Sequence, residues 1–207
     1  MSALHSLTHV FRIRYNTFSF RFQKFNMAST DTPAASTTNG QGGRTELIAE
    51  FDRLGIVHET LEHPEVFTVE AMMPHIQHLT GAFCKNLFVK DKKKRLYLLT
   101  ALHDRPIQLN AVCKKVGASG GLRLADESIL KEKLGVTQGS VTPFAIFNDK
   151  AGDVKFILDS DIVNGGHKKM FAHPMVNTAS TAISPEDLMK FAREMGHEPV
   201  LLDFSDM

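Results

Sequence analysis

A lysine placed where a β-strand is driest is the first residue of this chain that could do chemistry. The segment Phe83-Cys84-Lys85-Asn86-Leu87-Phe88-Val89 is short, rich in apolar and β-compatible residues, and followed by a charged turn, so it reads as a strand. Alternation sets Phe83, Lys85, Leu87 and Val89 on one face. Three of these four are apolar, which directs Lys85 toward a core or a pocket wall. An unpaired ammonium in a dry interior is costly, and it is kept there by a partner or a task. The alternative is a snorkelling lysine at the strand end, with its stem buried and its head in water.

Two further segments could serve such a lysine. Gly139-Ser140-Val141-Thr142-Pro143 leads into the apolar run Phe144-Ala145-Ile146-Phe147, which is expected as a buried strand. A Gly/Ser segment lets backbone approach a ligand closely with its N–H groups free to donate, although it also suits an ordinary loop. His173-Pro174 and Asn177 lie in a turn between segments 168–172 and 176–182, and gain chemical meaning if that turn faces the same cavity as Lys85. His75 and His78 are three apart on an expected helix, but no Cys or Asp at a fitting spacing completes a zinc site, so no metal or other cofactor is expected. No serine sits on a strained turn before a helix, and no Gly-rich phosphate loop is present.

Charge narrows the partners. The 207 residues hold 24 Lys and Arg against 23 Asp and Glu, but four of the cations (Arg12, Arg14, Arg21 and Lys24) fall in the first 30 residues, which hold no acid. The rest of the chain keeps 20 basic and 23 acidic residues, a formal charge of −3. Such a body does not bind nucleic acid through bulk charge, so any RNA contact needs a local patch. Lys90, Lys92, Lys93, Lys94 and Arg95, with Lys114-Lys115 and Lys168-Lys169, form the only candidate patch in the sequence, and otherwise read as solvated surface. No apolar run is long enough to span a bilayer. Cys84 and Cys113 lack metal-type spacing and are expected as reduced thiols, which fits an intracellular protein.

The elements that must position these residues follow from periodicity. Residues 1–26 mix Ser, Thr, Phe and Arg without acids, the composition of a mitochondrial transit peptide, a disordered tail, or an extension upstream of a start at Met27. A cytoplasmic location is the main expectation. Residues 28–43 read as a flexible linker, making 1–43 an extension and 44–207 the folded domain. A helix over 44–54 is expected, capped by Thr45, striped by Leu47, Ile48, Phe51 and Leu54, and ended by Gly55. A strand over 56–62 breaks at His63-Pro64, and a second helix starts at Thr68. The Lys85 strand pairs with 95–101 through a charged turn. Helices are expected near 109–116 and 126–134, strands at 143–148, 154–158, 168–172, 176–182 and 199–204, and a helix on Ser184-Pro185. Strands grouped in hairpins between helices argue an α+β fold rather than a doubly wound parallel sheet.

Four motifs in register carry a resemblance. His63-Pro64-Glu65-Val66-Phe67-Thr68-Val69-Glu70, Lys85-Asn86-Leu87-Phe88-Val89-Lys90-Asp91, the segment 139–143, and His173-Pro174-Met175-Val176-Asn177 resemble the aminoacyl-tRNA deacylases related to the prolyl-tRNA synthetase editing domain, from about residue 45 to 204. The resemblance implies a curved, barrel-like mixed β-sheet wrapped by helices, the YbaK-type fold, with the aminoacyl end of a tRNA in a cleft. It implies that Lys85 is catalytic and that Asn86 stands beside it. It implies that Gly139, Ser140, Val141, Thr142 and Pro143 form a backbone loop holding the aminoacyl or adenosine moiety. His173 and Asn177 would close the pocket, while Phe67 and Thr68 would set its size. The implied function is hydrolysis of alanine mischarged on proline tRNA. The alternatives are a deacylase for a cysteinyl or seryl ester, or a non-catalytic adaptor for tRNA or a synthetase complex. Implied partners are aminoacyl-tRNA and, secondarily, prolyl-tRNA synthetase, with neither DNA nor membrane.

Overall fold

The computed structural model describes residues 40–205, so the transit-like segment and most of the expected linker lie outside the described residues. The first half comprises α1 (Arg44–Leu54), β1 (Glu59–Glu62), α2 (Val69–Ile76), β2 (Ala82–Asp91), β3 (Leu96–Leu102), α3 (Leu109–Lys115), β4 (Leu122–Leu124) and α4 (Glu127–Leu134). A 3-10 helix (Pro143–Asn148) follows, then β5 (Val154–Asp159), α5 (Ser160–Asn164), β6 (Met170–Ala172), β7 (Ala179–Ile183), α6 (Pro185–Glu194) and β8 (Val200–Leu202).

The strands form one mixed sheet in the order β1-β7-β6-β2-β3-β5-β8, with β4 also paired to β2. The β2–β3 hairpin is antiparallel, with Lys85 opposite Ala101 and Asn86 opposite Thr100. Three pairs, β2–β6, β3–β5 and β5–β8, are parallel. The fold is therefore α+β with a mixed sheet, as expected.

Alternation along β2 and β3 sorts their side chains onto two faces. Phe88 and Leu98 join Leu47 and Phe51 of α1, Phe144 and Ile146 of the 3-10 helix, and Leu188 and Phe191 of α6. In this layer Phe51, Phe144 and Phe191 meet edge to face, with ring centroids 5.2–6.2 Å apart. Val89, Tyr97, Leu99 and Ala101 face the other way, against Val112 of α3 and Phe204. A smaller cluster seats α2 through Met72 and Ile76 upon Phe83 and Phe171.

Local chemistry explains the ends. Gly55 ends α1 in the left-handed region at φ 65°. Ser184 accepts the N–H of Asp187 at 3.0 Å and caps α6. Thr45, expected to cap α1, lies inside its first turn; the helix starts on Gly43, whose N–H donates to the Glu46 carboxylate at 2.7 Å. Gly42 is bracketed by Asn148, its N–H donating to Oδ1 and its C=O accepting from Nδ2, both at 2.9 Å. Packing thus begins just ahead of Arg44. The strand expected over 143–148 is instead the 3-10 helix. Thr142 accepts the N–H of Phe144 at 3.4 Å, and Pro143 presets the first turn. Its five buried residues in succession carry no period from which helix and strand could be told apart.

Candidate functional site

From Cys84 to Lys90 β2 is paired to β3 on one edge, but its other edge is shared. β6 takes Ala82 and Phe83, β4 takes Val89 to Asp91, and Ala125 donates its N–H to Phe88 O at 2.9 Å. Residues 84–87 between them carry no strand partner on that edge among the described residues. A cavity of about 420 Å³ opens at this gap, within the size range of small-molecule sites. Ladder alternation turns the main-chain N–H and C=O of Asn86 toward it, since residues two apart share a side and Phe88 bonds outward. The Asn86 side chain is braced in the sheet, its Oδ1 accepting from the Thr100 hydroxyl at 2.8 Å.

Lys85 reaches the cavity half-buried. Burial lowers its pKa from the ordinary lysine value, against the opposing charges of Asp104 and Glu70. It makes no ion pair among the described residues; its Nζ donates to the main-chain O of Arg105. That carbonyl is itself anchored, because the Arg105 guanidinium pairs with Asp161 and lies 3.9 Å from Asp159. Asp159 is fully buried and accepts the N–H groups of Leu102 at 3.2 Å and Asp161 at 3.1 Å. The lysine is therefore held by a neutral acceptor, which keeps its charge available to a ligand.

The second wall is the glycine loop. Gly139 has φ +89°, and a Cβ there would meet Phe67 Cδ1 at 2.7 Å and Asn177 Nδ2 at 3.2 Å. Only glycine lets the Phe67 ring and the loop backbone lie this close. Asn177 is buried behind the loop, and its main-chain O accepts the N–H of Val66 at 3.1 Å, tying the segment before α2 to the 173–178 turn. Thr68 caps α2, its hydroxyl accepting the N–H of Ala71 at 3.2 Å.

His173 supplies a defined acceptor. Its Nδ1 donates to Ala179 O at 2.8 Å, which leaves the lone pair on Nε2 of the neutral ring. Burial lowers its pKa from the ordinary histidine value, and the neighbouring His63, with a centroid 5.9 Å away, acts in the same direction.

Of the residues singled out from sequence, Lys85, Asn86, Phe67, Thr68, Gly139, Val141 and His173 line this one cavity. Ser140, Thr142, Pro143 and Asn177 do not; they are buried behind the wall and shape the loop. Phe67 is 64% exposed, which puts it on the rim, opposite to what a residue closing the pocket floor would show. The buried lining includes Met72, Cys84 and Ala172, and burial pushes the Cys84 thiol well up, so it is inert. Sequence reasoning missed Glu70, Met72, Leu124 and Gln138. The i, i+4 pair Met72 and Ile76 on α2 was a usable signal for Met72; the three-residue β4 left none for Leu124.

Residues 63–191 match the family described as aminoacyl-tRNA editing domain. Prolyl-tRNA synthetase associated domain-containing protein 1 of Bos taurus is 55% identical over 163 residues, covering 78% of this chain and 95% of that protein. Prolyl-tRNA editing protein ProX of Acetoanaerobium sticklandii is 34% identical over 152 residues, covering 73% of this chain and 91% of its own. Among solved structures, a candidate trans-editing enzyme for prolyl tRNA synthetase shares the fold at TM-score 0.57 and 18% identity, covering 78% of this chain and 98% of that one. With the matched segment running from His63 beside the cleft into α6, the chain belongs to the aminoacyl-tRNA editing domain family.

Proposed function

We propose that this protein is an aminoacyl-tRNA deacylase that acts in trans on alanine misattached to proline tRNA. The observation that carries the reading is the cleft at the open edge of β2, where the Lys85 ammonium, the Asn86 main chain and the Gly139 backbone converge. The substrate is an activated ester, so hydrolysis asks for positioning and for stabilisation of charge on the carbonyl oxygen rather than for a strong protein nucleophile. Lys85 supplies that charge in a partly dry site. The Nε2 lone pair of His173 accepts a hydrogen bond from the substrate's amino group or ribose. Water attacks the carbonyl, helped by the 2′-hydroxyl of the terminal ribose. Phe67 and Leu124, exposed at the rim, offer apolar faces to the terminal base.

Proline tRNA is supported by the names of the relatives, and alanine by the logic of size. A synthetase pocket built for proline rejects a smaller side chain by only about 1–3 kcal/mol per missing methylene, which calls for a second, narrower site. Met72, Cys84 and Ala172 are the buried side chains that would narrow it. The test is hydrolysis of alanyl and prolyl esters on proline tRNA by wild type and Lys85→Met. Loss of alanine alone is expected, slowed at least about 100-fold in the variant. Equal cleavage of both esters would overturn the size argument, and near-normal turnover by the variant would remove Lys85 from the mechanism. If neither ester is cleaved although tRNA binds, cysteinyl and seryl esters come next, and failure there makes the protein an adaptor.

A further inference from the structure

We infer that a cationic hollow at the tip of the β2–β3 hairpin binds RNA phosphates and seats the base-paired stem of the tRNA whose 3′ end enters the cleft. This rests on the deacylase reading above. The hollow has a volume of about 370 Å³ and is lined by Lys93, Lys94, Arg95, Lys133 and Lys155 against one carboxylate, Asp153. Arg95 is paired with Asp91 and Lys133 with Asp153, whereas Lys93, Lys94 and Lys155 make no ion pair among the described residues. In a body of net negative charge, that is a concentrated and unspent positive site.

The hairpin turn is built to hold it. The buried Asp91 carboxylate accepts from Arg95 N at 3.0 Å, Arg95 Nε at 2.7 Å and Ser119 N at 3.0 Å, and Lys94 N donates to Asp91 O at 3.0 Å. Lys94 itself has φ +62°, a left-handed conformation that glycine adopts more easily than any residue with a Cβ. A lysine at a position suited to glycine accepts backbone strain, which fits a charge with a use there.

Two rulers relate the hollow to the cleft. Lys85 to Asp91 spans about 20 Å of extended strand, the length of roughly six stacked nucleotides. That suits a short unpaired 3′ end followed by the first base pairs of a stem. Helix α4 lines both cavities, with Glu127 and Leu130 in the cleft and Lys133 in the hollow, only about 5 Å of helix rise beyond Leu130. One strand and one helix thus connect a site for the ester to a site for phosphates.

The test compares wild type with Lys94→Gly and with the triple variant Lys93→Ala, Lys94→Gly, Lys155→Ala, using full-length alanyl-tRNA for proline and the alanyl ester of a CCA trinucleotide. For the triple variant, KM on full-length substrate should rise about tenfold and its salt dependence flatten by roughly 0.9 per removed cation, the duplex value, with the trinucleotide ester cleaved as before. Lys94→Gly should shift KM in the same direction while melting no lower than wild type, so misfolding cannot account for the effect. Unchanged KM on full-length substrate overturns the inference, as does an equal rise on both substrates, which would place the effect in the cleft. Equal competition by polyglutamate and by uncharged tRNA would make the hollow a general anion surface and overturn the RNA assignment. If wild type cleaves neither ester, the alanyl reading fails by itself, and filter binding of uncharged tRNA still decides. Identical salt slopes for wild type and triple variant would then overturn the hollow; a shallower slope in the variant would sustain it.

Discussion

The two ends of β2 each carry a charged side chain out of bulk water, and the fold treats them in opposite ways. At one end, burial alone would raise the pKa of Asp91, but the N–H of Ser119 and the guanidinium and N–H of Arg95 outweigh it and bring the carboxyl to about 2. Both edges of the strand are paired there, to β3 and β4. At the other end, burial lowers the pKa of Lys85 and outweighs Asp104 and Glu70, beside an edge that no strand among the described residues covers. Asp91 is a satisfied charge whose ionised form the fold favours. Lys85 is a charge the fold tolerates, and what would satisfy it is a ligand. Buried charges are therefore informative by their balance of partners rather than by their burial.

The largest effect that would break this contrast is at Asp91. Asp91→Ala strands two backbone N–H groups and the Arg95 guanidinium, and should lower the melting temperature by more than about 5 °C. The sign with pH follows from the lowered pKa. The stabilisation is complete above the ordinary value of 3.8 and is lost as pH falls through about 2. Melting curves of wild type between pH 5 and pH 2 should show that loss, and the alanine variant should lack this component. If the two proteins melt together at neutral pH, Asp91 is not the anchor of the turn.

A smaller effect sharpens the Lys85 end. Arg105 does not line the cavity; its main-chain O accepts from Lys85, and its guanidinium is held by Asp161 beside Asp159. It is a positioning residue. Arg105→Met should lower kcat about tenfold with KM within about twofold, because the lysine loses its fixed place while the rim and loop stay intact. Arg105→Lys, which keeps the charge facing Asp161, should recover part of that loss. A change in KM alone would mean that the 103–108 segment contacts substrate instead.

How much of this was legible in the sequence depended on range. The β2–β3 hairpin, α1 with its terminal Gly55, and α6 on Ser184-Pro185 are set by neighbours within a few residues, and all are present. The segment 143–148 was misread because an unbroken apolar run fits any element buried on every side. The gap in the edge of β2 was invisible, since it depends on where β4 and β6 leave that strand, two pairings remote in sequence. For the same reason Lys85 and Gly139 could be picked out singly, while Leu124, which helps complete their cavity, could not. Ser140, Thr142, Pro143 and Asn177 share their motifs with residues that line the cavity, but their side chains turn into the protein. A motif marks a stretch of backbone, and packing decides which of its side chains meet the solvent.

The smallest expected change is the sharpest test of the contrast. A lysine whose pKa is lower in the folded than in the unfolded chain is protonated at a cost to folding. That cost is present at every pH below the folded-state pKa, shrinks as pH rises from there toward 10.5, and is gone above it. Lys85→Met removes the charge and keeps an unbranched apolar stem of similar reach. At neutral pH the variant should therefore melt at or slightly above the wild-type temperature, although it loses hydrolysis. The difference should close as pH is raised toward 10. Thermal melts of both proteins at pH 7 and pH 10 decide the matter. A variant clearly less stable at pH 7 would mean that the hydrogen bond to the Arg105 carbonyl outweighs desolvation, which would make Lys85 a structural charge of the same kind as Asp91.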